Sequence, residues 1–215
     1  MVIKRQRNFA YLKKIHQGGS YWMNTILLTS NDVQGLIGNH VPKQRVESFF
    51  SLGISVSKIV SLNAGVPIVR AFSQLMEEWE YVHSGTAMQG VKFVMAKNST
   101  CIYPQMSPIE GLADLARPSV YKFNNAVVYE HLQLPRIPYE LDYAEVFIGL
   151  CGELSRLYEK LIHEECYSNQ MIYDTIVRLD TRVKQQILTL VAKEVNDACS
   201  RKMKGGTRSL RELAG

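Results

Sequence analysis

The stretch Tyr143–Leu161, YAEVFIGLCGELSRLYEKL, decides the fold. Tyr143, Phe147, Leu150, Leu154, Leu157 and Leu161 succeed one another at intervals of three and four. That interval lines up side chains on one face of an α-helix. Ala144, Ile148, Cys151, Tyr158 and Ile162 widen the line into a broad apolar stripe. Glu140, Asp142 and Glu145 load the start with negative charge, where the helix dipole favours it.

The same pattern resumes downstream. Ser168 is a candidate cap, and Ile172, Ile176, Leu179, Val183, Ile187 and Leu190 form a second apolar line. Val191, Val195 and Ala198 continue it, and Asp174 with Arg178 and Asp180 with Lys184 are i,i+4 pairs in the favourable order. Uninterrupted, 169–203 is a rod of about 50 Å at 1.5 Å per residue. Only a short connection separates the two helices, so the sequence predicts that they pack antiparallel.

Working towards the N-terminus, Pro42 suits the opening of a helix. Val46, Phe49, Phe50, Val56, Ile59 and Val60 cover more than one face of it, as in a buried helix. Gly53, Ser57, Ser61 and Gly65 recur every four residues, a stripe of small side chains that lets another backbone approach closely. Asn63–Pro67 reads as one helix ending and another beginning, and Val69, Phe72, Leu75, Trp79 and Val82 carry the next helix to Gly85. Phe9, Leu12 and His16 suit a short helix stopped by Gly18 and Gly19. Tyr21–Leu28 suits a strand or a buried turn, and Thr29–Asp32 offers caps for a brief helix ending near Gly38. Between 86 and 138 the pattern is mixed: Val91–Met95 and Ala126–Tyr129 fit helix or strand, and a short helix fits 109–116 among the prolines. This is the expected connection or functional loop.

The expected fold class is therefore mainly α: a helical bundle built on two helical hairpins, 43–83 and 140–203, with an irregular middle segment holding a few short strands. The expected organisation is a basic N-terminal segment 1–20, a single α-helical domain 21–204 and a basic C-terminal tail 205–215.

The composition fits that outline. Among 215 residues, 46% are apolar and 21% charged, which is globular and excludes a disordered or collagen-like chain. Four cysteines do not make a disulfide scaffold, and in a reducing compartment they are expected as buried thiols. No run approaches the roughly 18–20 apolar residues a membrane span needs, the nearest being broken by Lys58. No secretory pattern opens the chain. The expected location is intracellular, the cytoplasm ahead of the nucleus. A mitochondrial presequence is the further alternative, on the strength of an acid-free start as far as Asp32.

The net charge of +5 sits at the ends. Residues 1–14 carry Lys4, Arg5, Arg7, Lys13 and Lys14 and no acid; residues 201–215 carry Arg201, Lys202, Lys204, Arg208 and Arg211 against Glu212 alone. The body is mildly acidic. Lys4, Arg5, Arg7, Lys13, Lys14, Arg201, Lys202 and Lys204 are thus the candidate phosphate contacts, set against a role as solvated, partly frayed ends.

Catalytic signatures are sparse. The chain has no phosphate-binding glycine loop, no nucleophile elbow, no zinc-protease motif and no C-x-x-C. Glu80 and His83 have the spacing of a di-iron ligand pair, but the motif does not recur with it. His163, Glu164, Glu165 and Cys166 cluster at a helix end, where a histidine complementing the dipole is the simpler account. No cofactor or metal is expected. Tyr139, Tyr143, Tyr158, Tyr167 and Tyr173 gather around the last helices, as at core edges or interfaces.

These features favour a non-enzymatic interaction or scaffold subunit of a larger assembly, with a protein partner or a second copy of the chain. Its expected contact is the seam Tyr143, Phe147, Leu150, Leu154, Leu157, Tyr158 and Leu161, wherever intramolecular packing leaves it free. The alternatives are a nucleic-acid-associated protein acting through its basic termini, and an enzyme with a site near the 86–138 loops.

Overall fold

The structure, a computed structural model, describes residues 1–102 and 119–213, the last eight of these as backbone only. The short helix expected at 109–116 lies outside them. Helix α1 (Val2–His16) leads into a hairpin of β1 (Ser20–Trp22) and β2 (Ile26–Leu28). A single turn, α2 (Ser30–Asp32), continues as a π-helical stretch to Ile37. The bundle follows with α3 (Lys43–Ile59) and α4 (Val66–His83), then α5 (Thr86–Val94) and a small sheet of β3 (Lys97–Asn98), β4 (Tyr121–Phe123) and β5 (Ala126–Val128). The last third holds α6 (Tyr143–Lys160), the short α7 (Glu164–Ser168), α8 (Gln170–Val183), a π-helical turn at Lys184–Leu188, and α9 (Thr189–Leu213). The protein is mainly α.

Local chemistry sets most boundaries. Asp142 caps α6, its carboxylate accepting from Glu145 N at 3.0 Å. Thr29 and Asp32 close a reciprocal capping box. Asn169, not Ser168, caps α8, accepting from Met171 N at 2.9 Å, because Ser168 is taken up as the last residue of α7. His163 caps the start of α7 rather than closing α6: its side chain accepts from Glu165 N. Gly18 has φ +80° and a Cβ there would lie 2.5 Å from Ser30 N, so only glycine fits where the chain leaves α1. Asn124 and Asn125, both at positive φ, form the two-residue turn between β4 and β5.

The core is one cluster shared by α1, α3, α4, α6, α8 and α9. Helix α6 is its axis. It packs most extensively on α1 and α3, and it meets α8 and α9 through longer side chains: Tyr158 Oη donates to Asp180 at 3.0 Å and Tyr143 Oη to Glu194 at 3.3 Å. The direct α6 pairing expected with the C-terminal rod is thus displaced by two other helices. Helix α3 passes α6 at Gly53, where a Cβ would meet the Leu150 Cα at 3.9 Å, an ordinary van der Waals contact. Elsewhere the small-residue stripe is not a packed face of α3: Ser57 and Ser61 are exposed, and α3 has ended before Gly65.

The N-terminal segment is likewise not a frayed end. Phe9, Leu12, Ile15 and His16 are buried, and Arg5 turns inward to Asp180, with Nε–Oδ1 at 2.6 Å and Nη2–Oδ2 at 2.9 Å.

The seam expected to meet a partner is consumed by this packing. Tyr143, Phe147, Leu150, Leu154, Leu157, Tyr158 and Leu161 are all buried. The reason is geometric: α1 and α3 cover the stripe from two sides. Replacing Phe147, which touches the rings of His16, Phe49 and Tyr143, by alanine is therefore expected to destabilise the protein by about 3–5 kcal/mol in urea unfolding. A surface residue would cost almost nothing.

Candidate functional site

Helix α5 departs from the rule that apolar helical faces turn inward. None of its residues is buried. Met88 and Val91 are exposed, and Val94 and the following Met95 are 78% and 76% exposed. The helix is held instead by its polar side chains. Gln89 Nε2 donates to the Val82 carbonyl at 3.1 Å, and Lys92 Nζ reaches Glu77 at 2.7 Å. Phe93 is covered by the Lys122 ammonium, 5.2 Å above its ring. With these groups facing the protein, Val91, Val94 and Met95 face outward, and Met88 is exposed at the mouth of the cleft behind. Periodicity marked 91–95 as apolar but did not say which side it would present.

Behind α5 lies a cleft of about 690 Å³ between the start of α3, the end of α4 and the π-helical turn. Phe49 and Trp79 form its floor; Arg45, His83, Met88 and Leu190 stand around it. Its ionic groups are internally balanced. Arg182 bonds Glu80 through Nε and Nη2, each at 2.5 Å, and Glu77 at 2.7 Å, while Arg45 pairs with Glu194. Burial would raise the Glu77 carboxyl, but Lys92 and Arg182 outweigh it and hold its pKa below the ordinary value. Glu80 also accepts from Gln186 Nε2 at 2.6 Å. The two residues with di-iron spacing are thus parted: Glu80 serves this network, and the His83 ring rests against Trp79 at 5.4 Å. Among the described residues no group of three or more His, Cys, Asp or Glu is placed to hold a metal ion.

A second cluster lies beside β5. Glu78, fully buried on α4, accepts from Gln74 Nε2 and from three successive backbone N–H groups, those of Glu130, His131 and Leu132, at 2.8–3.0 Å. One carboxylate thereby pins an otherwise irregular segment to the bundle. Next to it, Glu130 Oε1 and His131 Nε2 lie 3.5 Å apart, and neither makes a hydrogen bond among the described residues. Burial first, and then the Glu78 charge, push the Glu130 pKa up to about 7; burial, and then Arg70, bring that of His131 down to about 4. Glu130 therefore holds its proton more readily than an ordinary carboxyl, beside an imidazole that burial keeps neutral.

The basic residues divide. Arg5 is spent on Asp180; Arg201 donates to the Leu36 carbonyl, and Lys202 to Asp32 and the Leu27 carbonyl. Of these three candidate phosphate contacts, Arg5 and Lys202 are paired with a carboxylate and Arg201 with a backbone carbonyl of the fold. Lys4, Arg7 and Lys14 stay on the outer face of α1, Lys13 is half-buried, and Lys204 is exposed on α9. Among the tyrosines, Tyr139, Tyr167 and Tyr173 are exposed while Tyr143 and Tyr158 are buried. Cys151, Cys166 and Cys199 are buried thiols, but Cys101 is exposed. No helix among the described residues is long and apolar enough to cross a membrane.

The Glu130 shift fixes a sign. A carboxyl whose pKa is raised on folding lends stability at low pH that is lost as pH climbs from about 4.5 to about 7. Glu130→Gln, which cannot titrate, is expected to gain stability relative to wild type between about pH 5 and about pH 8, read by urea unfolding at both. A constant difference would place Glu130 in water. The chain matches no family model, and comparison with curated proteins and with solved structures finds no match.

Proposed function

We propose that the chain is a non-enzymatic interaction or scaffold subunit of a larger assembly, and that α5 with the cleft behind it is its contact surface. One observation carries this: a helix with an apolar face, attached by its polar residues, leaves Met88, Val91, Val94 and Met95 in solvent. Val94 and Met95 are more exposed than any other large apolar side chain described, and a contiguous exposed apolar patch marks an interaction site. Methionine adds an adaptable contact that fits more than one shape. The cleft supplies a socket with aromatic floor and balanced charge, suited to an apolar side chain from a partner. The partner is another protein or a second copy of this chain.

The experiment compares wild type with Met88→Ser/Val91→Ser/Val94→Ser. Light scattering gives the mass of each, and capture from extract gives what each retains. The expected result is an oligomer or a specific partner held by wild type and lost at least ten-fold in the variant, with an unchanged unfolding midpoint. A wild type that stays monomeric and captures nothing, or a variant that binds as well, refutes the proposal.

A further inference from the structure

Helix α1 has two faces of opposite character. Arg5, Phe9, Leu12, Ile15 and His16 enter the core. Ile3, Lys4, Arg7, Tyr11 and Lys14 share the opposite face and are exposed. The helix contains no acid, and Lys4, Arg7 and Lys14 have no ionic partner among the described residues. Tyr11 ties this face to the β1–β2 hairpin: its ring stacks on Trp22 at 5.5 Å, and its hydroxyl donates to Tyr21 O and accepts from Met23 N at 2.8 Å. The hairpin is anchored from behind, Trp22 Nε1 donating to Asn196 Oδ1 at 2.6 Å. Its tip therefore stands fixed beside the helix. Met23 is held there at φ +48° and is 63% exposed, and Ile3 is 62% exposed. Tyr21 is exposed with them.

We infer that this face, the outer side of α1 with the tip of the β1–β2 hairpin, docks onto an anionic lipid bilayer. The unpaired cations match acidic headgroups, each worth about five-fold in partitioning, so three give about a hundred-fold preference over a neutral surface. The apolar tips select the lipid over a nucleic acid. Ile3 and Met23 gain nothing from a phosphate backbone, but they gain by entering the boundary between headgroups and acyl chains, where tyrosine also settles. Because the apolar face of α1 is already spent in the core, the attachment is shallow and reversible, and it loosens with salt.

The test uses the full chain in co-flotation with vesicles of phosphatidylcholine alone and of phosphatidylcholine with one third phosphatidylserine. Binding is expected to the mixed vesicles and not to the neutral ones. Lys4→Gln/Arg7→Gln/Lys14→Gln is expected to lose about a hundred-fold. Met23→Ser, which leaves every charge in place, is expected to weaken binding several-fold. Circular dichroism melting verifies that each variant is folded. Equal or no binding to the two vesicle types, or a charge variant that binds like wild type, overturns the inference. So does a DNA duplex that binds more tightly than the mixed vesicles and is indifferent to Met23→Ser.

Discussion

The structure depends on one buried carboxylate. Asp180 of α8 receives both nitrogens of the Arg5 fork from α1 and the hydroxyl of Tyr158 from α6. Three helices from the beginning, middle and end of the chain are fixed in register by a single group. The Tyr158 hydroxyl is correspondingly held in its neutral form: burial first, then the Asp180 charge, raise its pKa far above the ordinary range. Such a group is costly to bury, and attraction offsets that cost only when every lone pair is engaged. Here the guanidinium meets the carboxylate through two nitrogens, the geometry that makes arginine the fitting cation at such a site. The triad therefore specifies which helices meet more than it adds net stability.

From that constraint the rest follows. With α1 pinned at Arg5, its apolar face must lie along α6. The stripe of α6 that could have served a partner is then covered, by α1 on one side and by α3 on the other. Exposed features lie at the periphery, among them α5 and the outer face of α1 with the hairpin tip. Two of these surfaces differ in chemistry. One is apolar beside a balanced cleft; the other mixes cations with isolated apolar tips. A scaffold that joined a protein partner through the first and an acidic membrane through the second would use both.

Much of the fold was legible in the sequence because its signals are local. The helices at 43–59, 66–83, 143–160 and 170–183 follow from three-and-four spacing, and their starts from Pro42, Pro67 and Asp142. What was not legible is which apolar stripes meet. Tyr143–Leu161 announces a buried face but not its neighbours, since any apolar stripe satisfies the same demand. Short connections argue for the C-terminal rod, but α6 packs most extensively on α1 and α3, with α1 tied in through Arg5 and Asp180. Arg5 looked like its neighbours Lys4 and Arg7 because its acid stands 175 positions away. The candidate surface on α5 was hidden for a similar reason: its apolar residues were visible, but the polar anchors Gln89 and Lys92 that turn them outward act through Val82, Glu77 and Glu80 of another helix.

The most direct measurement of this account is a double-mutant cycle in urea unfolding with Arg5→Met, Asp180→Leu and the two together. If the buried triad holds the N-terminal helix in the bundle, each single change strands a charge or its partners and costs about 3–5 kcal/mol. The double variant, with no charge left to strand, then recovers most of that loss. Single losses below about 1 kcal/mol that simply add would mean the pair is solvated, that α1 is not part of the core, and that the helix order built on it is wrong.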